Sequence, residues 1–124
     1  KLSFIETSFS RSETYQKARL FLKENQATYL ACATDNIAVA VLKAAHELGL
    51  RVPEDFSLSG FGGYDSTDYV FPTITTTHYP YHQLGVDAVE TIQKLIQKVQ
   101  VPELIKLPNQ LVIKQSTIPI KQIP

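Results

Sequence analysis

The feature that most constrains this chain is a regular alternation of short apolar runs with segments whose apolar residues recur every 3.6 positions. Residues 29–33 form a continuous apolar run, which is typical of a strand covered on both faces. A helical pattern then extends from Asp35 to Gly49, and residues 56–61 form the next strand-like run. Strands that alternate with helices indicate an α/β fold, a mostly parallel sheet flanked by helices.

Local signals mark where the predicted helices begin and end. Ser10 and Glu13 have the spacing of a capping box, in which each residue satisfies a free backbone N–H of the other. Asp35 is placed as the N-cap of the next helix and Gly49 as its left-handed stop. Pro80 suits the first turn of a third helix. The sequence therefore predicts three helices.

Four further segments are predicted to be strands, at residues 2–7, 74–78, 104–107 and 111–117. The helix that follows Pro80 is predicted to carry one apolar stripe. The stripe consists of Leu84, Ala88, Val89, Ile92, Leu95, Ile96 and Val99. No internal repeat or low-complexity segment interrupts this organisation.

Composition narrows the function classes. A chain of 124 residues is one small domain or one lobe of a larger one, and its 12 basic and 12 acidic residues give no basic excess for DNA binding. One cysteine allows no internal disulfide, in agreement with a cytoplasmic location. From the apolar pattern we expect neither a membrane span nor a retained signal peptide. Because the chain contains no Met and begins at Lys1, we expect that an upstream part has been removed.

The order of motifs between residues 34 and 84 resembles the lactose-repressor (LacI/GalR) family of sugar-responsive transcriptional regulators. Thr34-Asp35 opens a helix, Gly49-Leu50-Arg51-Val52-Pro53-Glu54-Asp55 follows it, Gly60-Phe61-Gly62 ends a strand, and Pro72-Thr73-Ile74-Thr75-Thr76 leads into the next. The resemblance covers nearly the whole chain. It implies the C-terminal lobe of a periplasmic-binding-protein-like (type I) effector-binding and dimerisation domain, with the helix-turn-helix and most of the N-terminal lobe outside the chain.

The resemblance also implies an effector site beyond the carboxyl ends of the strands, where ligands of open α/β sheets bind. Its predicted members are Phe9, Thr34, Asp35, Gly62, Gly63, Tyr79 and Tyr81. Aromatic faces cover the C–H surfaces of sugars, and polar groups fix their hydroxyls. The implied effector is a small sugar or sugar phosphate.

Several of these positions have a purely structural alternative. Phe9 could be a hydrophobic staple of the first helix, Asp35 could serve only as a cap, and Tyr79 could pack on a helix. The family usually carries Gly-Tyr/Phe-Asp where this chain has Gly60-Phe61-Gly62, so one effector-binding carboxylate is missing. The variant Gly-Phe-Gly-Gly-Tyr resembles that of sucrose-operon repressors, which suggests sucrose or a fructose-containing effector.

A homodimer is the second implied partner. Val39, Tyr69, Val70 and Phe71 are the predicted interface, because these apolar residues lie on a helix and loop that meet their symmetry mates in the resembling family. Operator DNA would be bound only through the missing N-terminal domain. The alternatives are a periplasmic or extracellular sugar-binding receptor and, less favoured, a small hydrolase. No catalytic constellation, metal site or cofactor is predicted.

Overall fold

The computed structural model describes residues 2–24 and 26–119. In this part of the chain the elements alternate as the sequence predicts, with a short 3-10 turn between the second and third strands. The helices are α1 (Arg11–Glu24), α2 (Asp35–Glu47) and α3 (Tyr81–Ile96), the strands are β1 (Tyr29–Ala31), β2 (Ser57–Ser59), β3 (Thr76–His78) and β4 (Gln110–Val112), and the turn is Asp65–Thr67.

The strands lie side by side in the order β1-β2-β3-β4. β1 and β2 form a parallel ladder in which Leu30 is opposite Leu58. Two parallel bridges, Ser59 with Thr75 and Gly62 with His78, connect the continuation of β2 to β3. β3 and β4 pair in the antiparallel direction. The α/β class with a mostly parallel arrangement is confirmed.

The start of α2 differs from the prediction. Thr34, not Asp35, is the N-cap: its backbone is extended, with φ −146° and ψ 161°, and its hydroxyl oxygen accepts a hydrogen bond from Ile37 N at 3.3 Å. Asp35 is the first helical residue. Its carboxylate points into the protein, where it binds Tyr64 and Thr76, so it does not cap the free amides of its own helix. Gly49 ends this segment with φ 71°, as predicted.

The core lies between the helix pair α1–α2 and one face of the sheet. Three alanines of α2 are fully buried, and their small side chains let the helix backbone approach the strands closely. Leu58 and Ile74 fill the space beneath and are also fully buried. A large aliphatic side chain buried in this way contributes about 1.5 to 3 kcal/mol. The alanines are Ala38, Ala44 and Ala45.

The capping box of α1 forms in a modified way. Ser10 Oγ accepts a hydrogen bond from Glu13 N at 3.4 Å, as predicted. The Glu13 carboxylate does not reach back to Ser10, however, because it accepts a hydrogen bond from the Ser8 hydroxyl and pairs with Lys17 at 2.8 Å. Ser10 N is satisfied by Ser8 Oγ at 3.2 Å instead. The first turn is therefore capped by two serines.

Beyond its first residue, Tyr81, which contacts the turn after β2, the third helix is not buried against the rest of the described chain. None of its residues is buried, and its large apolar side chains are exposed by 37% at Val86 to 76% at Ile96. The predicted stripe is present, and the described core does not cover it. The opposite face of the sheet is also uncovered, since Tyr29 and Leu111 are exposed. The expectation that residues 29–33 are covered on both faces is wrong for the same reason.

Two predicted strands are absent. Residues 2–7 run beside β1 without joining its ladder, and Leu2 and Phe4 are strongly exposed. Residues 104–107 follow α3 away from the sheet. Strand conformation needs a hydrogen-bonding neighbour, and neither segment has one in the described chain. No described helix combines the length and the apolarity needed to cross a bilayer.

Candidate functional site

Three elements converge at the carboxyl end of β2. The start of α2 is tied to this edge by a hydrogen bond from Asp35 N to Phe61 O at 3.0 Å. The turn after β2 is tied to β3 by a hydrogen bond from Gly62 N to Thr77 O, also at 3.0 Å. Most of the predicted effector residues lie on these elements. We call this region the strand-end edge; it comprises Thr34, Asp35, Phe61, Gly62, Gly63, Tyr64, Tyr79 and Tyr81.

Asp35 holds the strand-end edge together from inside. Its side chain is fully buried, and its two oxygens accept hydrogen bonds from Thr76 Oγ1 at 2.6 Å and Tyr64 N at 2.7 Å. Hydrogen bonds to a charged acceptor are strong, and a buried carboxylate requires them. Asp35 thus joins α2, β3 and the turn after β2. In this arrangement its oxygens are directed at protein groups and not at the open side of the edge.

Glycines in the turn are required by the neighbouring atoms. A Cβ at Gly60 would lie 2.2 Å from Asp35 Oδ1, and a Cβ at Gly63 would lie 2.5 Å from His78 Nδ1. Gly63 also has φ 74°, a left-handed conformation that disfavours other residues. The Gly-rich turn therefore allows α2 and β3 to approach each other closely. It has no following Lys-Ser/Thr and does not form a phosphate-binding loop.

Aromatic rings gather on the open side of the edge. Phe61 and Tyr79 meet edge to face with ring centroids 5.1 Å apart, and Tyr79 lies 5.6 Å from Tyr81. The Tyr81 hydroxyl donates a hydrogen bond to Gly62 O at 2.9 Å. Partial burial raises the pKa of Tyr81, and the nearby Tyr64 adds to the increase. Tyr79 thus packs on two aromatic residues of the predicted site, Phe61 and Tyr81, the second of which is the first residue of α3.

The remaining predicted contacts lie at the helix starts. Phe9 precedes α1 with 82% of its surface exposed, so it does not pack as a hydrophobic staple. The half-buried Thr34 uses its hydroxyl oxygen for capping, which leaves its proton available to a ligand. Arg11, which the sequence analysis did not single out, donates a hydrogen bond to Asn36 Oδ1 at 2.5 Å and connects the starts of α1 and α2.

The predicted dimer residues divide into two groups. Tyr69 and Phe71 project from the loop before β3, with 87% and 86% of their surfaces exposed. Val70 between them is half-buried against the core, as is Val39 on α2. Tyr69, Val70 and Phe71 lie in a bent segment between the 3-10 turn and β3, in which the side chain of Val70 packs against the core. Of the four predicted interface residues, Tyr69 and Phe71 therefore present the exposed apolar surface for association.

Two grooves lie beside the strand-end edge, and Phe61 also lines the first of them. A groove of about 700 Å³ follows the uncovered sheet face and is lined by residues that include Tyr29 and Leu111. Another of about 500 Å³ separates residues 2–7 from β1. The strand-end edge is open instead of enclosed. Cys32 borders both grooves, and burial, with a smaller contribution from the nearby Asp35, raises its pKa to about 12.

The described residues include neither a metal-binding cluster nor a cysteine poised as a catalytic nucleophile. They contain no group of three or more His, Cys, Asp or Glu side chains arranged to hold a metal ion. A low-pKa thiolate is the usual sign of a nucleophilic cysteine, and the pKa of Cys32 is displaced in the opposite direction. The site therefore offers aromatic faces, hydroxyl groups and a rigid turn, which suit binding.

Comparison with known proteins identifies the family to which this chain belongs. The periplasmic binding protein-like domain family matches residues 3–117. The HTH-type transcriptional repressor PurR of Yersinia pestis bv. Antiqua is 32% identical over 110 residues, which are 86% of this chain and 32% of that protein. This chain thus spans about a third of that relative's length.

Solved structures agree over most of the chain. The Lac repressor dimer bound to operator and the anti-inducer ONPF superposes with a TM-score of 0.83 at 28% identity, covering 89% of this chain and 39% of that one. A LacI family transcriptional regulator from Enterococcus faecium with bound ribose gives 0.78 at 29% identity, covering 93% and 43%. The chain therefore belongs to the periplasmic binding protein-like domain family and shares homology with PurR and the fold of LacI-family regulators.

Proposed function

We propose that this chain is the C-terminal lobe of the effector-binding and dimerisation domain of a sugar-responsive transcriptional repressor in the cytoplasm. The observation that carries the proposal is the similarity of nearly the whole chain to LacI-family regulators, including one with bound ribose. The helix-turn-helix and most of the N-terminal lobe lie outside these residues. The chain acts by binding and not by catalysis.

Helix α3 supports the assignment as one lobe of a larger domain. The chain leaves the sheet at the end of β3 and returns at the neighbouring strand β4, so residues 79–109 form an excursion between adjacent strands. The apolar stripe of α3 has no cover in the described chain. Exposed apolar surface of this extent indicates a packing partner. In the proposed protein that partner is the N-terminal lobe.

The effector binds between the two lobes and is contacted from this one by the strand-end edge. Phe9, Tyr79 and Tyr81 supply aromatic surface, Thr34 supplies a hydroxyl, and Gly62 and Gly63 allow close approach. Asp35 positions the turn without touching the ligand. Binding changes the relative orientation of the lobes and, through the dimer, the spacing of the two DNA-binding heads. By linkage, the effector and operator DNA alter each other's affinity by the same factor.

The dimer forms through an isologous contact in which Tyr69 and Phe71 of one subunit meet their copies. Their exposure and their position on one loop support this surface. A sucrose-operon type of repressor, with sucrose or a fructose-containing effector, is the specific form that the Gly-Phe-Gly-Gly-Tyr turn suggests. Sucrose and fructose are therefore the first ligands to test.

The test uses the full-length protein encoded by the gene. Genomic DNA fragments that bind the protein are isolated first. The affinity of the protein for these fragments is then measured by fluorescence anisotropy, with and without sucrose, fructose or ribose. One of these sugars should change DNA affinity by at least about fivefold, the lower end of typical allosteric coupling. The 124-residue chain alone is the control and should retain no DNA, because it has no basic excess. A full-length protein that selects no DNA would disprove the proposal.

A further inference from the structure

We propose that Tyr64 is a specificity-determining residue of the strand-end edge, where its ring replaces an acidic contact and selects a neutral sugar ring over a phosphorylated one. This inference rests on the proposed function, since it concerns the ligand of the same edge. Neither Tyr64 nor any preference between these two ligand classes follows from the sequence motifs alone.

The first observation is the position of the Tyr64 ring over Gly62. A Cβ built on Gly62 would lie 3.3 Å from Tyr64 Cε1 and 3.4 Å from Tyr64 Cζ. Gly62 also has φ 130°, which side chains rarely adopt. The space where a side chain at position 62 would begin is therefore bordered by an aromatic ring. The resembling family carries its carboxylate at this position.

The second observation is that the Tyr64 backbone is fixed on both sides. Its N–H donates to Asp35 Oδ2 at 2.7 Å, and its carbonyl accepts from Thr67 N at 3.0 Å and Thr67 Oγ1 at 2.8 Å. The ring stays 42% exposed. A ring on a fixed backbone loses little freedom when a ligand covers it, so more of the contact energy is retained. Tyr64 is thus preorganised for stacking.

The third observation is that the amides of Gly62, Gly63 and Tyr64 already have acceptors within the protein. Gly62 N donates to Thr77 O at 3.0 Å, Gly63 N to Thr76 Oγ1 at 3.3 Å, and Tyr64 N to the buried carboxylate. Phosphate sites in such turns depend on unpaired backbone amides directed at the ligand. The surface left for a ligand includes the Tyr64 and Tyr81 rings, and these aromatic faces suit the C–H face of a neutral sugar.

The charged groups nearby do not reverse this preference. Asp68 is paired with Lys114 at 2.6 Å and is not available as a free acidic contact. Arg11 at the start of α1 is exposed, but its guanidinium is engaged by Asn36. Since a phosphate could still recruit Arg11, the decisive comparison is between the same sugar with and without a phosphate group.

The experiment measures binding of sucrose, fructose and fructose 6-phosphate to the full-length protein by calorimetry, for wild type, Tyr64→Ala and Tyr64→Phe. Wild type should bind a neutral sugar more tightly than fructose 6-phosphate. Tyr64→Ala should lose at least about tenfold in affinity for that sugar, whereas Tyr64→Phe, which keeps the ring, should stay within about threefold. Tyr29→Ala, a half-exposed tyrosine at the amino end of β1 and so at the opposite end of the sheet, is the matched control and should bind as wild type does.

Three outcomes overturn the inference. Tighter binding of fructose 6-phosphate would show that the edge selects anions, and unchanged affinity in Tyr64→Ala would remove the ring from the site. Either result leaves the proposed function intact, because a sugar still binds. A wild-type protein that binds none of the three sugars would contradict both proposals. Circular dichroism of each variant, together with the Tyr64→Phe result, separates loss of contact from loss of folding.

Discussion

Replacing Gly60 with alanine should destabilise the lobe strongly, because the new methyl group has no space. It would lie 2.2 Å from Asp35 Oδ1 and 3.0 Å from Asp35 Cα, whereas ordinary contacts begin near 3.4 Å. The carboxylate must move by about an ångström, which breaks its hydrogen bonds to Thr76 and Tyr64. Each bond to a charged group contributes about 1.5 to 3 kcal/mol, so breaking both should cost about 3 to 6 kcal/mol.

Urea unfolding of the 124-residue chain, followed by circular dichroism, measures this loss. Gly85→Ala is the control, because nothing lies within 4 Å of its Cβ, and it should change the unfolding free energy by no more than about 1 kcal/mol. In an Asp35→Ala background, Gly60→Ala should cost much less than it does alone. The reasoning would be refuted if the losses of unfolding free energy from Gly60→Ala and Asp35→Ala simply added in the double variant, or if Gly60→Ala alone cost less than about 1 kcal/mol.

Further predictions concern titration, association and the third helix. The pKa of Cys32 is raised from 9.0 to about 12, so its thiol should resist iodoacetamide at pH 8 until urea unfolds the chain. The contribution of Cys32 to the free energy of unfolding should be lost as pH rises from 9 towards 12. Hydrogen bonds from Arg51 lower the pKa of Asp55 from 3.8 to about 2, so its stabilising contribution should persist above pH 3.8 and disappear as pH falls through about 2, as NMR titration would show. Phe71→Glu should shift the full-length protein towards monomer in sedimentation without changing its circular dichroism. Ile92→Glu should leave the urea midpoint of the 124-residue chain unchanged but lower that of the full-length protein, because α3 packs only there.

Local sequence signals predicted the elements whose formation depends on nearby residues. α2 has a capping residue, a 3.6-residue apolar period and a glycine stop within 16 positions, and the structure has the helix between Thr34 and Gly49. The cap itself was assigned one residue too late. Asp35 could not be recognised as a buried acceptor from its neighbours, because the groups it binds, Tyr64 N and Thr76 Oγ1, lie 29 and 41 positions away.

The wrong predictions involve surfaces, which depend on partners. A stripe that includes Leu84 and Ile92 is apolar whether it packs on its own lobe or on another, so periodicity predicts the helix but not its neighbour. Residues 2–7 have strand composition, yet a strand needs an adjacent ladder. At the site, Gly62 was recognisable as a departure from the family turn. The ring of Tyr64 over it was not, because only the backbone path of the turn brings them together.

The two ends of the excursion that contains α3 determine how this helix can move. His78 and Gln110 face each other in the antiparallel pair β3–β4, so the outgoing and returning segments are anchored about 5 Å apart. A body tethered at one point can rotate in any direction, whereas two neighbouring tethers restrict it to bending about the line that joins them. Movement of α3 relative to this sheet is therefore restrained at two adjacent points, the end of β3 and the start of β4. Twisting about the strand direction would instead strain the His78–Gln110 end of the ladder first.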